Sequence, residues 1–375
     1  MEPLTPAPDQ APITDRLRLL GYNERFRDAF VEAAEPGLVP GRVARGDRGM
    51  FVILTDGGPV HAEAHRRVRA RGTLEQTPAV GDWVTVRLSS QADAVLERVL
   101  PRTSAFVRSD PGDATAAQVV AANIDVILVM HALSLEPNLR RLERELVLAW
   151  ESGADPVVVL SKADLFPDVE GVLEAVRTVA VGVPVHVVSN LTGLGVPEIA
   201  AYASRGRTVA LLGASGVGKS TLANLLAGEH LQATGDVRPR DQKGRHTTVA
   251  RELVLLPGGG VLIDTPGMRA LALWESKAGM ALAFADIEAL AAGCRFADCS
   301  HDAEPGCAVL AAVARGELPA RRLESYRTLR GELADLAIRQ EERRRLESRG
   351  RRPVGRFSTP RSGPSGRGDS RRRPA

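Results

Sequence analysis

Three stretches of this chain hold residues whose type and spacing can do chemistry on a nucleotide. The first is "TVALLGASGVGKSTLANLLAG" (208–228), an apolar strand, a Gly-rich turn and a helix. Gly213, Gly218, Lys219 and Ser220 satisfy the spacing G-x4-G-K-S. The glycines let the backbone close around phosphate oxygens, and the N–H groups at the start of the following helix face the anion. Lys219 is expected to reach the β- and γ-phosphates and Ser220 to ligate Mg²⁺. The whole run Gly213, Ala214, Ser215, Gly216, Val217, Gly218, Lys219, Ser220 and Thr221 is the expected phosphate cradle.

The second stretch, "VLIDTPG", ends a strand on Asp264, placed to hold Mg²⁺ through water, and carries Gly267, whose N–H can sense the terminal phosphate. Between the two lies "GRHTTVARE" (244–252), of the kind that folds over a nucleotide. Thr247 or Thr248 could complete the Mg²⁺ shell, with Thr248 the better candidate.

The third stretch, "VVLSKADL" (158–165), offers Ser161, Lys162, Ala163 and Asp164. One carboxylate accepts from both N1–H and the 2-amino group of guanine, and adenine presents neither donor there. A buried acceptor left unpaired costs about 1–3 kcal/mol, so Asp164 would reject ATP. The aliphatic stem of Lys162 can cover the base. Ser189 and Asn190, closing "VHVVSN", sit where a second loop could offer backbone N–H groups to guanine O6, which leaves the Asn190 side chain little to do.

These parts occur in an unusual order, with the base reader before the phosphate loop. Cutting a GTPase after its Asp-x-x-Gly segment and joining the old termini produces this order and leaves the strands side by side in one sheet. Such permutation is tolerated where termini lie close together at the surface.

A separate cluster, "CRFADCSHDAEPGC", holds all three cysteines of the chain: Cys294, Cys299 and Cys307, with His301. The spacing C-x4-C-x-H-x5-C can close a tetrahedral Zn²⁺ shell with no open position, which implies a structural ion. The alternative is three reduced thiols in a core.

The elements that must position these groups follow from hydropathy. From 123 to 265 apolar strands alternate with helical segments, the pattern of a buried, mainly parallel sheet. Residues 37–108 read instead as five short strands separated by Gly, Pro and Asp, a small closed barrel of OB or SH3-like type. Arg42, Arg45, Arg48, Arg66, Arg67, Arg69 and Arg71 would give it a basic surface, for RNA or for solvent. Leu17, Leu20, Phe26 and Phe30 have helical spacing, so 16–34 is expected to be a short helical extension. Residues 279–347 read as helices around the cysteine cluster, the last over about 319–347.

The expected fold is therefore multidomain α/β. It comprises an N-terminal extension (1–36), a barrel (37–108), a permuted GTPase domain (109–274), a helical zinc-binding domain (275–342) and a disordered basic tail (343–375). The tail holds twelve Arg against two acids within a chain of net charge +3, which suits a polyanion such as RNA or a solvated segment. No apolar run approaches the ~18 residues of a membrane helix, and no secretory signal is visible, so a cytoplasmic location is expected.

With these motifs in this order, the sequence resembles the circularly permuted RsgA (YjeQ) family of GTPases over about residues 37–340. The resemblance rests on "AQVVAANIDVILV", "RRLERELVLAWESGADPVVVLSKADL", "GASGVGKSTL", "GRHTT", "DTPG" and the Cys/His cluster. It implies an OB-fold, a GTPase domain, one structural zinc and Mg²⁺ with GTP. It further implies a role in late maturation of the small ribosomal subunit, with hydrolysis stimulated by the subunit. The chain itself is expected to act as a monomer that contacts the subunit's rRNA, with hydrolysis driving release. Two residues depart from the family pattern: Ser161 replaces a usual Asn, and Asn190 a usual Ala. Met268 follows DTPG where many GTPases place a water-orienting Gln, and His246 is the family's candidate for that role; otherwise it is a solvent-facing loop His. Two other classes compete with this reading. A P-loop kinase or ATPase would lack a guanine reader, and a non-enzymatic zinc-containing RNA-binding module would hold GTP only as structure.

Overall fold

The computed structural model describes residues 13–33, 35–47, 49–70, 76–89, 94–110, 113–133, 137–204, 206–228, 252–264 and 277–350. The N-terminal segment is helical, in two pieces, α1 (Asp15–Leu19) and α2 (Glu24–Ala33). Gly21 separates them at φ 90°, pressed so closely on Gly206 that a Cβ there would lie 2.7 Å from the carbonyl oxygen. Leu17, Leu20, Phe26 and Phe30 are all buried, as their spacing requires.

Five strands then close a barrel: β1 (Leu38–Asp47), β2 (Met50–Thr55), β3 (Gly58–Ala64), β4 (Trp83–Arg87) and β5 (Ala94–Val99), in the order β1-β2-β3-β5-β4. β3 pairs parallel to β5, and α3 (Arg66–Ala70) lies between β3 and β4. That arrangement is OB-like and settles the choice of barrel type. Residues from all five strands, among them Val43, Ile53, Ala62, Val84, Val86 and Leu96, fill the interior.

An antiparallel ribbon, β6 (Ala105–Asp110) and β7 (Asp113–Ala122), leads from the barrel to the central sheet. The sheet is built from β8 (Val126–Ala132), β9 (Asp155–Ser161), β10 (Val185–Val187), β11 (Thr208–Gly213), β12 (Glu252–Leu255) and β13 (Val261–Asp264). Its order is β10-β9-β8-β11-β13-β12, parallel except for the edge strand β12. The helices α4 (Leu139–Glu151), α5 (Val169–Arg177), α6 (Val196–Tyr202) and α7 (Lys219–Ala227) connect the strands. Period-two alternation covers both faces. Ile127 and Val129 of β8 join the apolar cluster of α4 and α5, while Val126, Leu128 and Met130 join that of α6 and α7.

The C-terminal helices are α8 (Lys277–Ala283), α9 (Ala285–Ala291), α10 (Ala308–Ala314) and α11 (Ala320–Gly350). α11 runs past residue 342, so the first residues of the expected tail are helical; 351–375 lie outside the described residues. Arg322 of α11 locks this unit to the sheet domain. It donates to Glu143 of α4 at 2.8 Å and to Asp286 of α9 at 2.9 and 3.0 Å, over the Phe284 ring. No described helix is long and apolar enough to cross a membrane.

Of the seven arginines expected on the barrel surface, Arg42 is instead buried at 1% exposure. Its guanidinium donates to Leu20 O, to Gly81 O at 3.1 Å, to Asn123 O at 3.0 Å and to Thr208 Oγ1 at 2.8 Å. It joins the N-terminal helices, the barrel and β11, the strand that leads into the phosphate loop. Arg66 and Arg67 are exposed and Arg45 is half-buried; Arg48, Arg71 and the side chain of Arg69 are outside the description.

Candidate functional site

In a parallel sheet all carboxyl ends lie on one edge, and open α/β sheets bind their ligands there. Four of the strands that end on this edge carry the predicted chemistry. β9 ends in Ser161, β10 runs on to Ser189 and Asn190, β11 ends in Gly213, and β13 ends in Asp264. Only β8 stands between the base-reading and phosphate-binding strands, with Ala132 paired to Ser161 and Met130 to Gly213.

The phosphate loop has the backbone its glycines permit. Gly213, Gly216 and Gly218 have φ of 145°, 78° and 94°. At Gly213 a Cβ would lie 2.4 Å from Met130 O, so the strand pairing itself excludes a side chain. Lys219 Nζ spans the loop, donating to Gly213 O at 2.9 Å and Ala214 O at 2.6 Å. An ammonium held at the mouth of the cradle is available to exchange carbonyls for phosphate oxygens. Ser220 and Thr221 open α7 and are exposed on it, Ser215 and Gly216 are exposed in the loop, and Val217 is buried beneath it.

The residues expected to read the base are tied directly to that loop. Ser161, fully buried, donates through Oγ to Val217 O at 2.6 Å, with a longer contact to His131 O at 3.3 Å. Asn190 Nδ2 donates to Gly218 O at 3.0 Å. Asp164 Oδ1 accepts from Ser189 Oγ at 2.5 Å, which aims the carboxylate from the second base loop. Ala163 N–H donates to Val188 O at 3.2 Å and pins the two base loops together. Lys162 sits at φ 61°, a left-handed turn in a non-glycine residue that redirects the chain as it leaves β9. Behind this wall, His131 Nε2 lies 2.8 Å from Glu145 Oε2, and Arg141 donates to the other oxygen of Glu145 at 2.8 Å.

His246, Thr247, Thr248 and Gly267 lie outside the described residues, and Asp264 is placed through its backbone only. The side-chain roles of Ser161 and Asn190 were not expected from the sequence. A serine or an asparagine at a strand end carries no signal until the facing carbonyl is known.

The cysteine cluster is assembled as its spacing predicts. The ligand atoms of Cys294, Cys299, His301 and Cys307 all lie within 4.8 Å of one another. Cys294 and Cys307 sulfurs are 3.8 Å apart, and His301 Nδ1 is 3.6 and 3.5 Å from them. A tetrahedral shell with metal–sulfur distances of ~2.3 Å and metal–nitrogen distances of ~2.0–2.1 Å sets sulfur–sulfur separations of about 3.8 Å and sulfur–nitrogen separations of about 3.6 Å. The four side chains therefore have the dimensions to hold one metal ion.

Their surroundings prepare them for it. For Cys294, burial is outweighed by N–H groups of Val309 and Ala308 and by the neighbouring thiols, which hold its pKa below the ordinary value. Burial pushes Cys299 up to about 11, so a cation among the sulfurs is needed to make it a thiolate at neutral pH. Glu304 bridges the loop by accepting from the Ser300 N–H at 2.8 Å, the Asp302 N–H at 2.9 Å and the Ser300 hydroxyl. From α11, Arg327 donates to His301 O and Arg330 to Cys299 O at 3.5 Å.

A protein-family model described as RsgA GTPase matches residues 99–274. The "Small ribosomal subunit biogenesis GTPase RsgA" of Streptomyces avermitilis is 48% identical over 337 residues, covering 88% of this chain and 89% of that protein. The chain belongs to the RsgA GTPase family. The protein of the same name from Opitutus terrae is 44% identical over 334 residues, covering 86% of this chain and 91% of its own. Among solved structures, YjeQ from Thermotoga maritima superposes with a TM-score of 0.60 at 26% identity, covering 79% of this chain and 99% of that one. YloQ, described as a circularly permuted GTPase, superposes with a TM-score of 0.58 at 23% identity and supports the fold. Membership makes this chain a hydrolase of GTP, and the order of its motifs along the chain is that of a circularly permuted GTPase fold.

Proposed function

We propose that this chain is a GTPase that binds the small ribosomal subunit through rRNA and assists its late maturation, with the subunit stimulating hydrolysis and hydrolysis driving release. The observation that carries the reading is the pair of bonds from Ser161 and Asn190 to Val217 O and Gly218 O. They hold the guanine reader against the phosphate cradle although 47 residues and a reversed order separate the motifs. The names of the relatives supply the subunit.

In this reading Asp164 accepts the two guanine donors, Lys162 covers the base, and backbone N–H groups at Ser189–Asn190 face O6. The amides of Gly213–Thr221 and Lys219 bind the phosphates. Ser220, Asp264 and Thr248, or Thr247 in its place, would hold Mg²⁺, which when bound neutralises phosphate charge. Gly267 would report the terminal phosphate, and His246 would orient the attacking water. The Cys294, Cys299, His301, Cys307 set would hold one structural Zn²⁺, since a closed three-sulfur, one-nitrogen shell leaves no position for substrate. The division at 36, 108 and 274, a cytoplasmic location and a monomeric state belong to the same proposal.

The test is GTP turnover with and without purified small subunits at several salt concentrations. Stimulation that falls steeply with salt supports the reading, because phosphate contacts are screened. Turnover indifferent to the subunit at every salt concentration would overturn it.

A further inference from the structure

From the bonds between the base loops and the phosphate loop we infer that Asn190 is a positioning residue for nucleotide binding. It supplies the amide that the usual Asn-Lys-x-Asp pattern would place at position 161. The inference rests on the proposed guanine site and deepens it.

Two consecutive carbonyls of the phosphate loop, Val217 O and Gly218 O, point at the base loops. Each receives one side-chain donor, Ser161 Oγ at 2.6 Å and Asn190 Nδ2 at 3.0 Å. The two donors come from different strands, β9 and the segment after β10, so together they span the seam between base and phosphate subsites. A hydroxyl has one hydrogen to give, and Ser161 directs it at Val217 O, with the longer contact to His131 O sharing it. It has nothing left for Gly218 O. An alanine at 190 would leave that carbonyl without its side-chain donor.

The orientation of the Asn190 amide is set by the same seam. Turning it over would point Oδ1 at Gly218 O, two acceptors face to face. In the orientation adopted, Nδ2 bonds the loop, and Oδ1 is left buried with no hydrogen-bond partner among the described residues. Burying an acceptor unpaired is unfavourable, so the bond to Gly218 O must offset it. Gly218 is tightly placed as well, since a Cβ there would lie 2.9 Å from Asn190 Nδ2. Gly218 immediately precedes Lys219, and its carbonyl, which already accepts the first bond of α7 from the Leu222 N–H at 2.9 Å, takes Asn190 Nδ2 as a second donor that further restrains the peptide plane from which Lys219 and the first amide of α7 project. Asn190 acts through that plane, and Ser161 and Asn190 share one task.

The test is equilibrium and stopped-flow binding of a fluorescent ribose-labelled GDP, with Mg²⁺, to the full chain. The proteins are the parent, Asn190→Ala, Asn190→Asp, Ser161→Asn and the double variant Ser161→Asn/Asn190→Ala. Asn190→Ala should weaken binding about tenfold, mainly through faster release, the effect of losing one seam hydrogen bond. Asn190→Asp keeps the shape but cannot donate, and should lose at least as much. Ser161→Asn should recover most of the loss in the Asn190→Ala background. Recovery separates positioning from general stability, because a folding defect at 190 would not be repaired by an amide arriving from another strand. If Asn190→Ala and Asn190→Asp bind within twofold of the parent, or if Ser161→Asn recovers nothing, the inference is wrong. A parent that binds no labelled GDP would instead overturn the proposed guanine site.

Discussion

Replacing Arg42 with methionine tests whether the barrel is held to the nucleotide domain by a buried guanidinium. Two opposing effects can be weighed. Burial, opposed by Asp125 and Asp82, pushes the Arg42 pKa down from the ordinary guanidinium value to about 10. A difference of that size means the charge costs about 3 kcal/mol when the protein folds at neutral pH. Both values lie above 7, so the cost is constant through the physiological range. Stability would rise with pH only between about 10 and the ordinary value, where the unfolded chain keeps the proton that the folded one loses. Methionine removes this cost and preserves much of the apolar stem.

Against that, four acceptors lose a donor. Gly81 O keeps Asn123 Nδ2 at 3.1 Å, but Leu20 O, Asn123 O and Thr208 Oγ1 lose the guanidinium. At about 1–3 kcal/mol for each stranded buried acceptor, the loss is about 3–9 kcal/mol. The second effect wins, with a net destabilisation of about 3 kcal/mol, or roughly a hundredfold in local opening. Hydrogen exchange should show it at amides of 20–26, 81–84 and 208–210. Arg42→Lys should do little better, because one ammonium cannot span acceptors on three separate segments. Unchanged or increased protection in Arg42→Met would show that the buried charge, not the stranded carbonyls, dominates this interface.

Asp164→Asn should lower kcat/KM for GTP by about 10–100-fold while leaving ATP turnover unchanged, since an amide offers one acceptor where guanine presents two donors; the ratio of the two substrates is the measurement. Elemental analysis should find one metal ion per chain, lost in Cys307→Ser and released from the parent as acid protonates the ligands. The Glu304 carboxylate is held far below the usual carboxylate range by the Ser300 hydroxyl and by backbone N–H groups. Its contribution is present above the ordinary carboxylate pKa and lost as pH falls through the depressed value, so Glu304→Gln should speed metal transfer to a chromogenic chelator several-fold at pH 7, and an unchanged rate would remove it from loop organisation. Arg322→Ala strands buried Glu143 and should cost about 3–5 kcal/mol in the melting of the α8–α11 unit against α4; a melt indistinguishable from the parent would refute the lock.

The identity of the chemistry was legible without coordinates, because it depends on residue types at fixed local spacing. Gly213 to Ser220 can do one thing well when a strand precedes and a helix follows, and Cys294 to Cys307 form a ligand set whose span is set by a short loop. The alternation of strands and helices gave the sheet, and five short runs gave the barrel, for the same reason: periodicity is local. What needed the tertiary structure were facts about facing groups. Arg42 reads as a surface charge until Leu20, Asn123 and Thr208, from three distant segments, are seen to enclose it. Gly21, between α1 and α2, has no room for a side chain because Gly206, some 185 residues further along, stands beside it. Ser161 and Asn190 acquire roles only once the carbonyls of Val217 and Gly218 stand opposite them. A hydrogen bond is a relation between two groups, and a sequence states only one of them at a time.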